Sequence, residues 1–556
     1  MEKKADLPSL SQIQIDIVDE AKKWDKSIGC CLSLPMGYGK TVIALNIANN
    51  IPGTSLVICS KTLINSWVNE IKKFFGDTLQ YEIAHNEYKK DLANWKPSIH
   101  TKIVLTTSEA IAKYYTTAIS KKFYGRVIDK FTNEHIYEDP TCPLGEKDDI
   151  FHRQEWDGIF IDECQNYTNI SKPKAQCIAS LYSKKIFLLS GTLLQEIAIE
   201  RILGTFILLR IHPSIRSVIR CKRFIATPIL GLDHYSIKRT ENENFKDVKL
   251  KKEIVKVTLT KDEQKCYLFF KEMCLEVWTR YTEELKKKMG KDAKVVAELA
   301  GNLLGAISQI RQSLILPIIP LKNHLERLIE NEVDDFGKLE TILKTLLNKY
   351  SLEKWIFSDE AKISSRIIKC IDIMEKHYKV NEKCIVICSF VESLNYIKKI
   401  TEQEKEGTFD EDYEIFLLEC KLSMKARDEI LTNFNKAKNG VLFLSYNMGA
   451  EGLNLQTANV IIHADLYWNK GKEDQALARV FRFGQLSTQV YQYILISGTG
   501  LETGMLDKHE FKCEGIDAIC KGVPMEKEKP KSLSTEEIIK YIKEDDNVEK
   551  ALKIRS

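Results

Sequence analysis

Short, wholly apolar runs recur along the first part of the chain: SLVICS at 55–60, KIVLTT at 102–107, GIFIDE at 158–163 and KIFLLSGT at 185–192. Each is separated from the next by a stretch with helical periodicity. Runs that are apolar throughout, rather than alternating, predict strands covered on both faces, which is what a parallel sheet between helices requires. The texture returns after residue 380 as CIVICSF at 384–390, YEIFLL at 413–418, VLFLS at 441–445 and NVIIHAD at 459–465. Between the two sets, over residues 254–350, strand signals fade and patterns such as CYLFFKEMCLEVWTRYTEELKKK run on without Pro or Gly. The pattern predicts an α/β chain with a first lobe over 1–245, a helical insertion or linker over 246–350, a second lobe over 351–505 and a tail over 506–556. A loop-bearing insertion is expected within the first lobe at 113–150. The tail carries one amphipathic helical pattern, SLSTEEIIKYIKE.

With 556 residues and 44% hydrophobic content, the chain exceeds the roughly 250–300 residues at which a single core stops growing, so several domains are expected. Lysines and arginines number 82 against 78 acids, a net +4. That is too small to announce a polyanion binder, so any basic groove must be local. Fifteen cysteines lie scattered without paired CxxC spacing, and His85, His100, His152 and His234 are isolated. Reduced, buried thiols and no metal cluster of this kind are expected. The N-terminal MEKKADLPSLSQIQ lacks the apolar core of a secretory signal, which predicts an intracellular protein. The most apolar long stretch, 297–320, is interrupted by Asn302, Ser308, Gln309, Arg311 and Gln312. It predicts a buried helix rather than a membrane span.

Chemistry begins at PMGYGKT, 35–41, between an apolar strand and a helical run. Gly37 and Gly39 let the backbone turn so that its N–H groups face phosphate oxygens at a helix N-terminus. Lys40 adds a point charge, and Thr41 can hold magnesium. The alternative is an ordinary strand-to-helix turn, since Leu34 stands where the full phosphate-loop pattern has its first glycine. The second element is IFIDECQ, 159–165, where a strand delivers two carboxylates at its C-terminal end. There Asp162 can bind magnesium and Glu163 can polarise an attacking water, although acidic pairs after strands also serve as caps.

Together with LVICSKTLINSWVNEIKKF, IVLTTSEAI, LLSGTLLQ and, in the second half, LSYNMGAEGLNLQTANVIIHAD and LYWNKGKEDQALARVFRFGQ, these segments resemble the Swi/Snf-like branch of the superfamily 2 helicases. They follow that family's order over residues 8–505. The resemblance implies two tandem RecA-like lobes closing on ATP and magnesium. Gln14 would read adenine, and Gln475 would join the nucleotide site. Arg479 and Arg482, three residues apart in a helical-looking segment, would project from one helix face and compensate charge on the leaving phosphoryl group. Thr106, Thr107, Ser108, Ser190, Gly191, Thr192, Gly452, Asn454 and Trp468 would contact nucleic acid or couple it to the nucleotide.

The implied activity is an ATP-dependent translocase or remodelling ATPase on double-stranded DNA. A strand-separating DNA or RNA helicase and a non-catalytic nucleic-acid-binding scaffold are the other classes. Protein partners would use the helical insertion or the tail, and the setting would be nucleus or cytoplasm. The Lys-, Ile- and Asn-rich, stripped-down chain also resembles versions coded by large DNA viruses, which would place it in a viral factory or virion. Three departures stand out: Leu34-Pro35 before the phosphate loop, Cys164-Gln165 after the carboxylates, and Leu193 in place of a proline. The Asp-Gly turn expected near LECKLSMKARDEI is not recognisable.

Overall fold

The computed structural model describes residues 8–35, 38–88, 92, 95–114, 127–128, 135–137, 140, 150–191, 194, 198–211, 216–226, 231–239, 248–286, 293–329, 345, 347–352, 355, 358, 360–409, 412–450, 453, 455–482, 485–521 and 535–545. The chain divides into two compact units. One comprises Met1–Lys246 with Glu510–Ser532, the other Asp247–His509 with Leu533–Ser556.

The first unit is built on β1 (Gly29–Ser33), β2 (Ser55–Ile58), β3 (Tyr81–Ile83), β4 (Ile103–Thr106), β7 (Gly158–Asp162), β8 (Ile186–Ser190) and β9 (Ser236–Lys238), with a separate antiparallel pair, β5 (Val127–Ile128) and β6 (His135–Ile136). The seven strands run in the order β3-β4-β2-β7-β8-β1-β9, each pair parallel. Parallel neighbours need crossovers. The described helices of this unit are α1 (Gln12–Lys22), which precedes the first strand, and α2 (Lys40–Asn50), α3 (Ile64–Phe75), α4 (Ser108–Lys113), α5 (Pro173–Ala179), α6 (Ile199–Leu208) and α7 (Val218–Ala226), which lie between strands. Every residue of β2, β4, β7 and β8 is buried, as the unbroken apolar runs predicted. Most of the 113–150 insertion lies outside the described residues.

The second unit's sheet, β10 (Lys249–Lys256), β11 (Cys384–Cys388), β12 (Glu414–Leu418), β13 (Gly440–Ser445), β14 (Val460–His463) and β15 (Gln489–Ile496), runs in the order β10-β15-β14-β11-β13-β12, again wholly parallel. Its helices are α8 (Lys261–Lys286), α9 (Ala293–Ser313), α10 (Ile318–Ile329), α11 (Ser365–Tyr378), α12 (Val391–Thr408), α13 (Met424–Lys436), α14 (Tyr446–Ala450), α15 (Lys470–Val480), α16 (Gly500–Lys521), whose residues from Glu510 onward belong to the first unit, and α17 (Thr535–Lys543).

The stretch expected to be helical from residue 246 opens instead with the strand β10. KLKKEIVK is exposed along most of its length, so this sheet-edge strand carries lysines rather than the apolar run of a covered strand. Leu268, Phe269, Ile307 and Ile310 of α8 and α9 share a core with Leu466 and Ile494 and with Ile538, Ile539 and Ile542 of α17. The apolar stretch at 297–320 forms parts of two helices, broken at residues 314–317. No described helix is long and apolar enough to cross a membrane.

Among the described residues eleven thiols are buried, Cys30, Cys31, Cys59, Cys164, Cys177 and Cys221 in the first unit and Cys266, Cys274, Cys370, Cys384 and Cys388 in the second, while Cys420 and Cys513 are exposed. Burial pushes Cys31, Cys221, Cys274 and Cys370 up to about 12, so they stay protonated.

Two glycines test this packing. A Cβ on Gly204 of α6 would meet the Thr168 carbonyl oxygen at 1.8 Å, whereas one on exposed Gly301 of α9 would meet nothing within 4 Å. Gly204→Ala should destabilise the first unit by about 1–3 kcal/mol through overpacking. Gly301→Ala should stabilise the chain by about 0.5–1 kcal/mol. Urea unfolding midpoints of the two variants check both signs.

Candidate active site

The turn between β1 and α2 holds the first chemical element. Gly39 is the N-cap of α2 with φ 74° and ψ 40°, and the helix carries no acidic residue in its first turn. Glycine adopts this left-handed geometry without strain, and the helix end is left as a positive, N–H-rich anion site. Lys40 donates from Nζ to the carbonyls of Leu34 (3.1 Å) and Pro35 (3.4 Å), which folds its ammonium back over the loop. Thr41 follows in the first turn of the helix; Gly37 lies outside the described residues.

Gln14 is tied to the same turn. Its Oε1 accepts from the Ser11 amide (3.0 Å) in a capping box at the start of α1, and its Nε2 donates to the Tyr38 carbonyl (3.0 Å). A Cβ on Gly39 would lie 2.6 Å from that Nε2. The glutamine therefore fastens α1 to the phosphate-loop turn.

At the end of β7, Asp162 is buried and accepts two neutral hydrogen bonds. Trp67 Nε1 donates to Oδ2 (3.0 Å) and the Glu163 amide to Oδ1 (3.0 Å). Burial, and then the Glu163 carboxylate, raise its pKa; Trp67 and the Lys40 charge oppose them. Glu163 has φ 46°, a left-handed value for a residue with a Cβ. Strain of this kind costs on the order of 1–3 kcal/mol and persists only where the surroundings impose it. Gln165 bridges onward, donating from Nε2 to Glu163 Oε2 (2.5 Å) while its Oε1 accepts from Ser190 Oγ at the end of β8 (2.7 Å). Gln165 stood out in the sequence only as a departure, and Trp67 only as part of a helical block. Their partners are set by sheet order, which linear spacing does not reveal.

Other expected residues take different places. Thr106 and Thr107 are wholly buried. Thr106 donates its hydroxyl to the Ala84 carbonyl (2.8 Å), and Thr107 caps α4 by accepting from the Ala110 amide (3.2 Å). Both hydroxyls are thus engaged within the fold. Ser108 is also buried and hydrogen-bonds Glu109 (3.1 Å). Gly191 follows Ser190 directly; Thr192, Gly452 and Asn454 lie outside the described residues.

In the second unit, Gln475 is buried within α15, which also carries Arg479. The expectation that Arg479 and Arg482 share one helix face is corrected, because α15 ends at Val480 and Phe481 leaves the helix at ψ 88°. Gln485 stops it there. Its Nε2 donates to the Val480 carbonyl (2.8 Å), one of the terminal acceptors a helix cannot satisfy itself, and to the Ala458 carbonyl (2.9 Å). Trp468 is part-buried before α15, its ring 5.0 Å from the Arg311 guanidinium.

A family model described as the SNF2-related domain matches residues 14–315, and one described as the helicase conserved C-terminal domain matches 365–484. "Putative helicase 172L" of Invertebrate iridescent virus 6 is 25% identical over 544 residues, covering 89% of this chain and 83% of the relative. "DNA repair and recombination protein RAD54-like" of Gallus gallus is 24% identical over 522 residues, covering 87% of this chain and 63% of the relative. This chain spans only 39% of an uncharacterized ATP-dependent helicase of Mycoplasma pneumoniae that is 23% identical to it. Among solved structures, the Pyrococcus furiosus Hef helicase domain superposes with a TM-score of 0.51 at 15% identity, over 90% of this chain and 98% of that one. Its likeness is one of fold.

The Glu163–Gln165–Ser190 chain can be tested. Gln165→Leu leaves the Glu163 carboxylate without its side-chain donor, a charge-assisted bond of about 1.5–3 kcal/mol. If that bond orients Glu163 for reaction, nucleoside triphosphate turnover should fall by about ten- to a hundredfold with little change in nucleotide affinity. Steady-state rates alongside equilibrium nucleotide binding check it.

Proposed function

Because the chain belongs to the SNF2-related family, whose domain model spans more than half of it, we propose that it is a motor that hydrolyses ATP and tracks along double-stranded DNA. The observation that supports this most is sheet order. The phosphate-loop turn follows β1 and the carboxylates end β7, with only β8 between those strands, so the Lys40 charge reaches Asp162. Parallel α/β sheets bind ligands at these strand ends.

The donor set fits a magnesium-bound triphosphate. Gly39 opens a left-handed turn at a helix N-terminus, Lys40 and Thr41 supply a cation and a hydroxyl, and the buried Asp162 carboxylate has only neutral hydrogen-bond donors to Oδ1 and Oδ2. Magnesium, held by Thr41 and Asp162, would neutralise phosphate charge as the γ-phosphoryl group leaves. Lys40 would bind the phosphates. Glu163, oriented through Gln165, would polarise the attacking water. Arg479 and Arg482, carried by the second unit, would stabilise charge developing on the transferred group, a task suited to a planar, permanently charged fork.

Duplex DNA as the track is supported by the family and by a relative named for DNA repair and recombination. Phosphate contacts would make binding largely independent of base sequence and steeply dependent on salt.

Turnover should be stimulated more by duplex DNA than by single-stranded DNA or RNA, and DNA affinity should fall steeply with added salt. Stimulation by RNA alone would remove the DNA motor reading. Lys40→Ala should abolish turnover with the fold intact. Glu163→Gln should bind ATP but leave it unhydrolysed, and wild-type turnover in both would end the ATPase assignment. Arg482→Ala should cut the DNA-stimulated rate by about a hundredfold or more while changing ATP affinity only modestly, with little rescue by Arg482→Lys. A near-normal rate would remove Arg482 from the chemistry.

A further inference from the structure

Tyr446 occupies a junction that the functional reading leaves unassigned. It opens α14 directly after β13, and so begins the part of the chain that leads to Gly452 and Asn454, which the family resemblance links to nucleic acid. Its side chain is 1% exposed and points at the other segment of interest, the loop between β14 and α15. The hydroxyl donates to the Asp465 carbonyl (2.6 Å) and lies 2.9 Å from His463 Nδ1. The ring lies 4.8 Å from that of Tyr467 and 5.7 Å from that of His463, centroid to centroid. One side chain thus touches the last residue of β14 and two positions of the loop that leads into the helix carrying Gln475 and Arg479.

Donor counting fixes the direction of the chain. The single hydroxyl proton of Tyr446 goes to the Asp465 carbonyl, so the oxygen must accept from His463 Nδ1–H. His463 Nε2 is then the acceptor for Gln492 Nε2, 3.1 Å away on β15. Burial holds the imidazole neutral, with its pKa lowered to about 3, so one ring nitrogen is left free to accept. Asp465 is anchored in turn, its carboxylate accepting from the Ser389 amide (2.8 Å) and from Arg311 (3.0 Å). The two helices also pack closely, since a Cβ on Gly449 of α14 would lie 3.5 Å from the Ala476 Cβ of α15.

We propose that Tyr446 is a positioning residue, whose hydroxyl, set by His463, locks the start of α14 to the loop after β14 so that a displacement of α14 on DNA binding is passed to α15 and its Arg479. The proposal rests on the motor reading above. A buried, fully directed chain of hydrogen bonds suits this role because it permits one arrangement rather than a continuum, which lets two segments move as a body.

The test compares three substitutions in the full chain. Tyr446→Phe keeps the ring and removes the hydroxyl. His463→Asn keeps a donor near the Nδ1 position, while His463→Gln keeps a polar group near Nε2 and loses the donor to Tyr446. The relay predicts that Tyr446→Phe and His463→Gln lower the duplex-DNA-stimulated kcat by about tenfold. The unstimulated rate and KM for ATP should stay within about twofold of wild type, and His463→Asn should stay near wild type throughout. Unchanged stimulation in Tyr446→Phe overturns the proposal. So does an equal loss in both histidine variants, or misfolding of all three, because a packing role would not separate Asn from Gln. A wild-type chain whose ATP turnover ignores duplex DNA overturns the motor reading itself, whereas a responsive wild type with indifferent variants overturns only the relay.

Discussion

Both of the large sheets are wholly parallel, and that arrangement organises everything else. Parallel strands must be joined by crossovers that cover the sheet faces, so the interiors of β2, β4, β7, β8, β11, β13 and β14 are buried along their whole length. Polar side chains there would forfeit solvation without a partner. Chemistry is thereby displaced to the strand ends. In the first unit these hold the Gly39 turn, Asp162, Glu163 and Ser190, and in the second Tyr446 and Asp465.

Buried charge makes the second set of strand ends rigid. Arg311 of α9 pairs with Asp465 at 3.0 Å, and Arg366 of α11 pairs with Glu502 at 2.7 Å while also donating to the Ala464 carbonyl. Each of these four side chains is less than a tenth exposed. Such pairs add little net stability, but removal of one partner costs about 3–5 kcal/mol because the other charge is stranded. They therefore specify one arrangement of two helices against the end of β14. The polar interruption at Arg311 that argues against a membrane span in the sequence is, in the fold, the fastening of α9 to the sheet.

What could be read from the sequence follows from the same physics. Strands covered on both faces announce themselves as apolar runs, and glycine turns and paired carboxylates at their ends mark the site. Lys40, Asp162 and Glu163 could therefore be put forward one residue at a time. β10 was not, because an exposed edge strand of lysines has no apolar signature. The end of α15 was hidden because the side chain that stops it, Gln485, reaches back from beyond the helix, and QALARVFRF has helical spacing without it. Gln165 and Trp67 escaped for a related reason. Trp67 acts on Asp162 and Gln165 is held by Ser190, each partner lying on another element that only sheet order brings into reach.

The buried thiols carry a last consequence. They form no disulfides among the described residues, and alkylating reagents attack thiolates, which burial suppresses. Cys420 and Cys513 are open to reagent in the native state, whereas the buried cysteines can react only when their surroundings open. Six of the buried thiols sit in one unit and five in the other. The chain thus carries its own clock for local opening: the order in which these cysteines become modified, read peptide by peptide, would report which unit loosens first under heat or denaturant, with no label added.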